Sequence, residues 1–207
     1  MLLPYKSFYY SPTHYHLGDI VNVVQQVHHR AIAVPGLHFI SSRPCPCCGV
    51  DSGEMAKNVL SLLGTSVKYE SSKNFISVSP AWVKGHKKTI YDGKYAKAKE
   101  LPERGDHVVC QFDKRSRGEK IPNNVIDFVK SDMINIGDNK LPCINKTELD
   151  LRAKFRMLAS AKLYVGVDSG LTHLALMTET PILLIHPKSW DAGRFYPPSP
   201  QLRFLEV

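Results

Sequence analysis

The sequence predicts an α/β protein built from two small Rossmann-like halves, each with a parallel sheet. In the segment Lys162–Pro187, an apolar run, a turn of small residues, a helical pattern and a second apolar run follow in order. This order is typical of two parallel strands joined by a helix. Near the N-terminus, the aromatic-rich stretch Tyr5–Tyr10 is followed by a loop and by a helical pattern that opens with Gly18 and Asp19. Each half therefore carries a Rossmann-type unit.

The composition is that of a basic globular protein. The 207 residues are 43% hydrophobic and 22% charged, which excludes an intrinsically disordered chain. No apolar run approaches the length of a membrane span, and the first residues lack a secretory signal pattern. We therefore expect a cytoplasmic protein without integral membrane association. The net charge of +8 favours a polyanionic partner, such as nucleic acid or a phosphate-rich glycolipid.

Residues 1–100 are predicted to form the first half. A first helix is expected over Ile20–His29 and a second over Glu54–Leu63, with Ser52 as the N-cap of the second. The apolar positions of the first helix recur at helical spacing and are Ile20, Val23, Val24 and Val27. The predicted strands are Tyr5–Tyr10, Gly36–Ser42, Ser66–Tyr69 and Phe75–Val78.

Residues 101–207 are predicted to form the second half. Helices are expected over Asn123–Lys130, from an N-cap at Thr147 to Ser160, and over Leu171–Met177. The predicted strands are His107–Phe112, Met133–Ile136, Leu163–Val167, Ile182–Ile185 and Leu202–Val207.

The turn before the predicted helix Leu171–Met177 is expected to bind an anion. Asp168, Ser169 and Gly170 separate this helix from a buried strand, so the first amides of the helix point outward and carry about half a positive charge. Gly170 permits a close approach because it has no Cβ atom. His173 follows about one helical turn later and can reach the same anion. The turn therefore predicts a phosphate or diphosphate site.

The run VGVDSGLTHLAL, followed by a strand that starts with proline, resembles the nucleotide-sugar motif of glycosyltransferase family 9, the ADP-heptose:lipopolysaccharide heptosyltransferases. The resemblance implies a GT-B architecture, in which an acceptor-side half (1–100) and a donor-side half (101–207) flank a cleft. It implies transfer from a nucleotide-diphosphate sugar with inversion. Because a helix dipole and a lysine would replace the metal that other glycosyltransferase folds use, we expect no metal and no cofactor besides this co-substrate. The resemblance also implies that the loop after the strand Met133–Ile136 contacts the base and ribose of the donor nucleotide. The alternative is an ordinary turn in another doubly wound protein.

Leu17, Gly18 and Asp19 resemble the N-terminal signature of the same family, in which the aspartate is the catalytic base. A carboxylate at this place could take the proton of an acceptor hydroxyl. An aspartate at a helix start is also a good N-cap. Because the second motif is present, we prefer the catalytic role for Asp19.

The family places a lysine shortly before a Trp-Pro pair, where it contacts the donor phosphates. Lys120 takes this position before Ile121 and Pro122, although isoleucine replaces tryptophan. A cation there would neutralise the charge of a departing diphosphate. Lys114 and Arg115 are alternatives for this role, and a solvated basic loop is the alternative to any donor contact.

The acceptor is predicted from charge and aromatic content. Between Trp82 and Arg104, basic and aromatic residues interleave, which suits either a nucleic-acid backbone with splayed bases or a solvated linker. We predict a hydroxymethylated pyrimidine in double-stranded DNA as the acceptor, as in a phage-type DNA-modifying enzyme. The alternatives are a lipopolysaccharide or other glycan acceptor, a non-catalytic nucleotide- or DNA-binding module, and a nucleotide-sugar epimerase or hydrolase. The predicted acceptor contacts are His14, His16, Gly18, Trp82, Lys87 and Lys88.

Three cysteines crowd into one proline-rich stretch, at Cys45, Cys47 and Cys48. Without a secretory signal, a disulfide framework is not expected. A zinc site would need four ligands, usually in two separated pairs. We therefore prefer reduced thiols on a loop and predict no metal.

Overall fold

A computed structural model describes residues 7–12, 16–33, 36–41, 49, 51–65, 67–70, 76–78, 95–113, 127–188, 196 and 198–207. The chain divides into two compact units, Met1–Glu100 and Leu101–Val207, which we name the first and second unit. Each unit contains one parallel sheet among the described residues. The assignment of the acceptor to the first unit and of the donor to the second stays a prediction.

The first unit has the strand order of half a Rossmann fold. Its described elements are β1 (Ser7–Pro12), α1 (Leu17–Ala33), β2 (Leu37–Ser41), α2 (Ser52–Leu62), β3 (Lys68–Glu70) and β4 (Ile76–Val78). The parallel strands lie in the order β3-β2-β1-β4, so the strand order reverses between β1 and β4.

The helix α1 packs an apolar stripe into the core of the first unit. Ile20, Val23, Val24 and Val27 are fully buried, as their spacing predicts. The helix is longer at both ends than the predicted Ile20–His29. Its last turn contains Ile32, which is 66% exposed, so the helical backbone continues beyond the end of the buried stripe.

The helix α2 begins at a cap other than the predicted Ser52. The side chain of Asp51 accepts hydrogen bonds from the amides of Gly53 and Glu54, at 2.9 and 3.1 Å. Ser52 is fully buried, and its hydroxyl donates to the backbone oxygen of Pro12 instead. Asp51 takes the cap because its carboxylate is a stronger acceptor for N-terminal amides than a hydroxyl.

The second unit has the strand order of a complete doubly wound sheet. Its described elements are β5 (Val108–Gln111), β6 (Ile134–Asn135), β7 (Ile144–Asn145), α3 (Leu151–Ser160), β8 (Leu163–Gly166), α4 (Gly170–Ala175), β9 (Ile182–His186) and β10 (Leu202–Glu206). The parallel order β7-β6-β5-β8-β9-β10 corresponds to the 3-2-1-4-5-6 order of the Rossmann fold. A buried cluster in this unit contains Cys110, Phe112, Val165 and Ile185.

One helix prediction in the second unit is corrected, and a second is tested only over residues 127–130. The helix α3 begins at Leu151 rather than after Thr147, because Oδ1 of Asp150 accepts a hydrogen bond from the amide of Ala153 at 2.7 Å. Residues 123–126 of the other predicted helix lie outside the described residues. The remainder, residues 127–130, forms a turn followed by irregular backbone.

The predicted fold class is confirmed, because both described sheets are parallel and both have Rossmann-type strand order. Within the described part of the chain, we find no helix that is long and apolar enough to cross a membrane.

Candidate functional site

The second unit has its topological switch point between β5 and β8. Strand β5 pairs with β6 on one side and with β8 on the other, so the chain leaves these neighbouring strand ends in opposite directions. Ligands of open parallel sheets bind outside the carboxyl ends of the strands at such a point. Asp113 follows β5 by two residues and Asp168 follows β8 by two residues, so both carboxylates belong to this edge.

The turn after β8 is closed by Ser169 and not by Asp168. Ser169 is the N-cap of α4, and its hydroxyl oxygen accepts a hydrogen bond from the amide of Thr172 at 3.3 Å. The hydroxyl of Thr172 in turn donates to the backbone oxygen of Val167 at 2.7 Å. These bonds join the end of the strand to the first turn of the helix. The helix α4 has six residues, so its dipole is that of a short helix.

Two amides at the start of α4 have no acceptor within the described part of the chain. The amides of Thr172 and His173 bond to the side chain and backbone oxygen of Ser169. For the amides of Gly170 and Leu171, no acceptor occurs among the residues that the structure describes. Ser169 and Gly170 are partly exposed, so the turn presents these polar groups at the edge of the sheet. Unpaired N-terminal amides of this kind can bind a phosphate oxygen.

Asp168 and His173, which the sequence predicts to contact the donor, are buried against Tyr196. The hydroxyl of Tyr196 donates to Oδ1 of Asp168 at 2.5 Å. The ring of Tyr196 stacks on the imidazole of His173, with 4.5 Å between centroids and 15° between planes. The exposed fractions are 6% for Asp168, 3% for His173 and 2% for Tyr196. Asp168 and His173 therefore form the buried part of the turn, whereas Ser169 and Gly170 form its accessible part.

A second buried tyrosine, Tyr164, contacts the turn through Thr172. The hydroxyl of Tyr164 donates to Oε1 of Gln111 at 3.3 Å and lies 3.2 Å from Oγ1 of Thr172. Complete burial raises the pKa of Tyr164 above its usual value, so the group stays a neutral donor. Gly166 leaves room for this hydroxyl, since a Cβ atom at residue 166 would lie 2.5 Å from it.

The carboxylate of Asp113 holds the turn after β6. It accepts hydrogen bonds from the amides of Asp138 and Asn139, both at 2.8 Å. Any side chain at Gly137 would collide with this carboxylate. Oδ1 of Asn135 accepts a further bond from the amide of Gly137 at 3.0 Å. The turn at residues 137–139, which follows the strand β6, is therefore shaped by Asp113, a residue that the sequence pattern did not reveal.

The segment from residue 137 to residue 202 matches the family model described as glycosyltransferase family 9 (heptosyltransferase). It includes the turn at residues 137–139, the turn after β8 and Tyr196. The resemblance to glycosyltransferase family 9 is confirmed. No curated protein sequence matches the chain. We refer to residues 137–202 as the family 9 segment.

The whole chain is also similar in structure to a solved heptosyltransferase. The match is the crystal structure of the dodecameric iron-containing heptosyltransferase TibC in complex with ADP-D-β-D-heptose, with a TM-score of 0.64 and 13% identity. It covers 99% of this chain and 63% of TibC, so this chain spans less than two thirds of the TibC length. At this identity, the likeness establishes a GT-B-like fold and no more.

The family 9 segment does not reach the predicted catalytic base in the first unit. His16, Gly18 and Asp19 lie at the start of α1, just after the carboxyl end of β1. The amide of Ile20 donates to the backbone oxygen of His16 at 3.0 Å, so the first helical turn begins at His16. Asp19 is the third residue of α1 and lies beyond the cap position. Its role as a base stays a prediction.

The other predicted site residues lie outside the described part of the chain, and so do Cys45, Cys47 and Cys48. They are Lys120 on the donor side and His14, Trp82, Lys87 and Lys88 on the acceptor side. Within the described residues, no group of three or more His, Cys, Asp or Glu side chains could hold a metal ion.

Proposed function

We propose that this chain is a glycosyltransferase that moves a sugar from a nucleotide-diphosphate sugar to a hydroxyl group of a glycan, such as a lipopolysaccharide core. One observation carries the proposal. The family 9 segment contains a turn at the switch point of a Rossmann sheet, where the amides of Gly170 and Leu171 have no acceptor among the described residues. ADP-D-β-D-heptose is the first donor to test, because TibC was solved in complex with it.

The donor diphosphate would rest on the turn after β8. The hydroxyl of Ser169 and the amide of Gly170 would bind its oxygens, since both residues are partly exposed, and the amide of Leu171 follows directly. Because α4 has only six residues, these individual donors and the cation of Lys120 would contribute more to donor binding than the dipole of this short helix. The turn at residues 137–139, held by Asp113, would receive the nucleoside part of the donor.

The reaction would be a single displacement. The carboxylate of Asp19 takes the proton of the acceptor hydroxyl as its oxygen attacks the anomeric carbon of the donor sugar. The bond between the anomeric carbon and the phosphate oxygen breaks, and the nucleoside diphosphate leaves with the bonding electrons. Hydrogen bonds from the turn and the charge of Lys120 stabilise the leaving group, so the step needs no metal ion. One attack from the opposite face inverts the anomeric centre.

A glycan acceptor has better support than the DNA acceptor expected from charge. The DNA acceptor is predicted from the basic and aromatic segment Trp82–Arg104. The part of this segment up to residue 94 lies outside the described residues. The matching family and the similar structure are both described as heptosyltransferases. Nothing in the comparisons supports a DNA partner, so modified DNA enters the test as a competing acceptor.

A transfer assay decides the proposal. The chain is incubated with ADP-D-β-D-heptose and a lipopolysaccharide core that lacks its terminal heptose. ADP release is followed by a coupled assay and the acceptor by mass spectrometry. We expect ADP release that depends on the acceptor, together with a mass gain of one heptose. Parallel reactions use UDP- and GDP-sugars and duplex DNA containing 5-hydroxymethylcytosine. Transfer only to DNA would overturn the glycan acceptor, and no transfer from any donor would overturn the enzymatic function.

A further inference from the structure

One side chain holds both ends of the turn that carries the proposed donor site. Tyr196 donates its hydroxyl hydrogen to Asp168 at 2.5 Å and stacks its ring on His173 at a centroid distance of 4.5 Å. Asp168 directly precedes the accessible residues Ser169 and Gly170, and His173 follows them in the first turns of α4. Tyr196 therefore contacts the turn both before and after its accessible residues, through Asp168 and through His173.

All three residues of this contact are buried. Tyr196, Asp168 and His173 are exposed by only 2%, 6% and 3%. A buried carboxylate needs hydrogen-bond donors, because its desolvation is costly without them. The tyrosine hydroxyl also places a positive hydrogen next to the charge of Asp168, which would otherwise repel a bound diphosphate.

We propose that Tyr196 is a positioning residue of the donor site, acting through Asp168 and His173. The inference rests on the proposed function and deepens it. Tyr196 fixes the rotamer of Asp168 with its hydroxyl and the tilt of His173 with its ring. The amides of Gly170 and Leu171 are thereby held in the orientation that binds the donor diphosphate.

Two substitutions separate the two contacts. Tyr196→Phe removes the hydroxyl and keeps the stacked ring, whereas Tyr196→Leu removes both. The matched control is Tyr10→Phe in the first unit. Tyr10 is also 2% exposed, and its hydroxyl lies 3.0 Å from Nδ1 of His38, so this control also removes one buried phenol hydroxyl. Tyr10 belongs to the first unit, whereas the turn residues belong to the second.

The measurement is the dissociation constant of ADP and of ADP-D-β-D-heptose by isothermal titration calorimetry, with KM for donor and acceptor from the transfer assay. We expect Tyr196→Phe to weaken donor binding and raise the donor KM by about tenfold, since a hydrogen bond to a charged group commonly contributes that factor. Tyr196→Leu should have a larger effect. The acceptor KM should stay unchanged, which a general loss of stability would not produce.

Thermal unfolding of each variant separates positioning from stability. If Tyr196→Phe and Tyr10→Phe lose similar thermal stability but only the former weakens donor binding, the positioning role is supported. Wild-type donor binding in Tyr196→Phe would overturn this inference and leave the proposed function intact. If the unchanged chain binds neither ADP nor the nucleotide sugar, the proposed function fails and this inference fails with it.

Discussion

The hydroxyl group of Tyr164 lies 3.2 Å from Oγ1 of Thr172, beneath the turn that follows β8. The same hydroxyl donates to Oε1 of Gln111 at the end of β5. Gln111 in turn donates to Oδ2 of Asp113, which holds the turn after β6. A continuous chain of hydrogen bonds, buried at Tyr164 and more exposed at Asp113, thus joins the two loops at the switch point of the second unit.

Replacing Tyr164 by phenylalanine tests this chain. We expect Tyr164→Phe to lower the free energy of unfolding by about 1–2 kcal/mol, because the buried Oε1 of Gln111 loses its donor. Urea unfolding followed by circular dichroism measures the change. An unchanged free energy of unfolding would show that the hydrogen bond to Gln111 contributes nothing to stability.

Gly166 is expected to tolerate no side chain. A Cβ atom at residue 166 would lie 2.5 Å from the hydroxyl oxygen of Tyr164 and 2.7 Å from its Cζ atom. The tyrosine ring is fully buried and cannot move aside, so Gly166→Ala should lower the free energy of unfolding by about 1–3 kcal/mol.

The double variant Gly166→Ala/Tyr164→Phe is the control for this collision. Removing the hydroxyl relieves the shorter of the two contacts, so the double variant should lose less stability than the sum of the single changes. Additive losses in the same urea titrations would contradict a steric origin.

Asp19 is expected to act in the chemical step and not in donor binding. Asp19→Asn should lower kcat by about 10²–10⁴-fold, because the amide cannot accept the proton of the acceptor hydroxyl. The dissociation constant of ADP-D-β-D-heptose should not change, because the donor is assigned to the second unit.

The matched control for Asp19 is Glu54→Gln. Glu54 is an exposed acid in the first turn of α2, so it shares the helix position of Asp19 without the proposed role. Loss of kcat in both variants would indicate a general effect of charge at helix starts. Full activity of Asp19→Asn would favour a different base or the non-catalytic alternative.

Stability is expected to depend on pH through His28. Burial, and then the neighbouring His29, lower the pKa of His28 below its usual 6.5, so the folded state binds this proton less readily than the unfolded state. The contribution to stability is therefore complete above pH 6.5 and falls as the pH drops below it towards the pKa of the folded state. Urea unfolding between pH 5 and pH 8 should show a shallower pH dependence in His28→Gln than in the unchanged chain. Parallel curves would contradict this role for His28.

The local patterns in the sequence were sufficient for the order of elements around the glycine turn but not for the helix caps, and they missed β7. The strand, turn, helix and strand predicted within Lys162–Pro187 are observed as β8, α4 and β9. Asp51 and Asp150 take the caps expected at Ser52 and Thr147. Several neighbouring residues can cap a helix, and the choice depends on which side chain the rest of the unit leaves available, as the bond from Ser52 to Pro12 illustrates.

The residues that support the candidate site were less accessible to sequence reasoning. Tyr196 meets Asp168 across 28 positions, and Tyr164 meets Gln111 across 53. Tyr196 follows an irregular stretch in the sequence, and Asp113 begins a basic loop, so neither belongs to a periodic pattern. The role of Asp113 becomes visible only once β5 and β6 are paired, and that of Tyr196 only once its side chain is placed against the turn after β8.

By itself the sequence determined the α/β class, the βαβ unit around the glycine turn and the resemblance to glycosyltransferase family 9, because hydrophobic period and turn chemistry are properties of adjacent residues. Only the tertiary structure decided that Asp168 and His173 lie buried behind Tyr196, and that Asp113 shapes the turn at residues 137–139. These contacts depend on strand order and register, which bring distant residues to one edge of the sheet and leave no periodic trace in the chain.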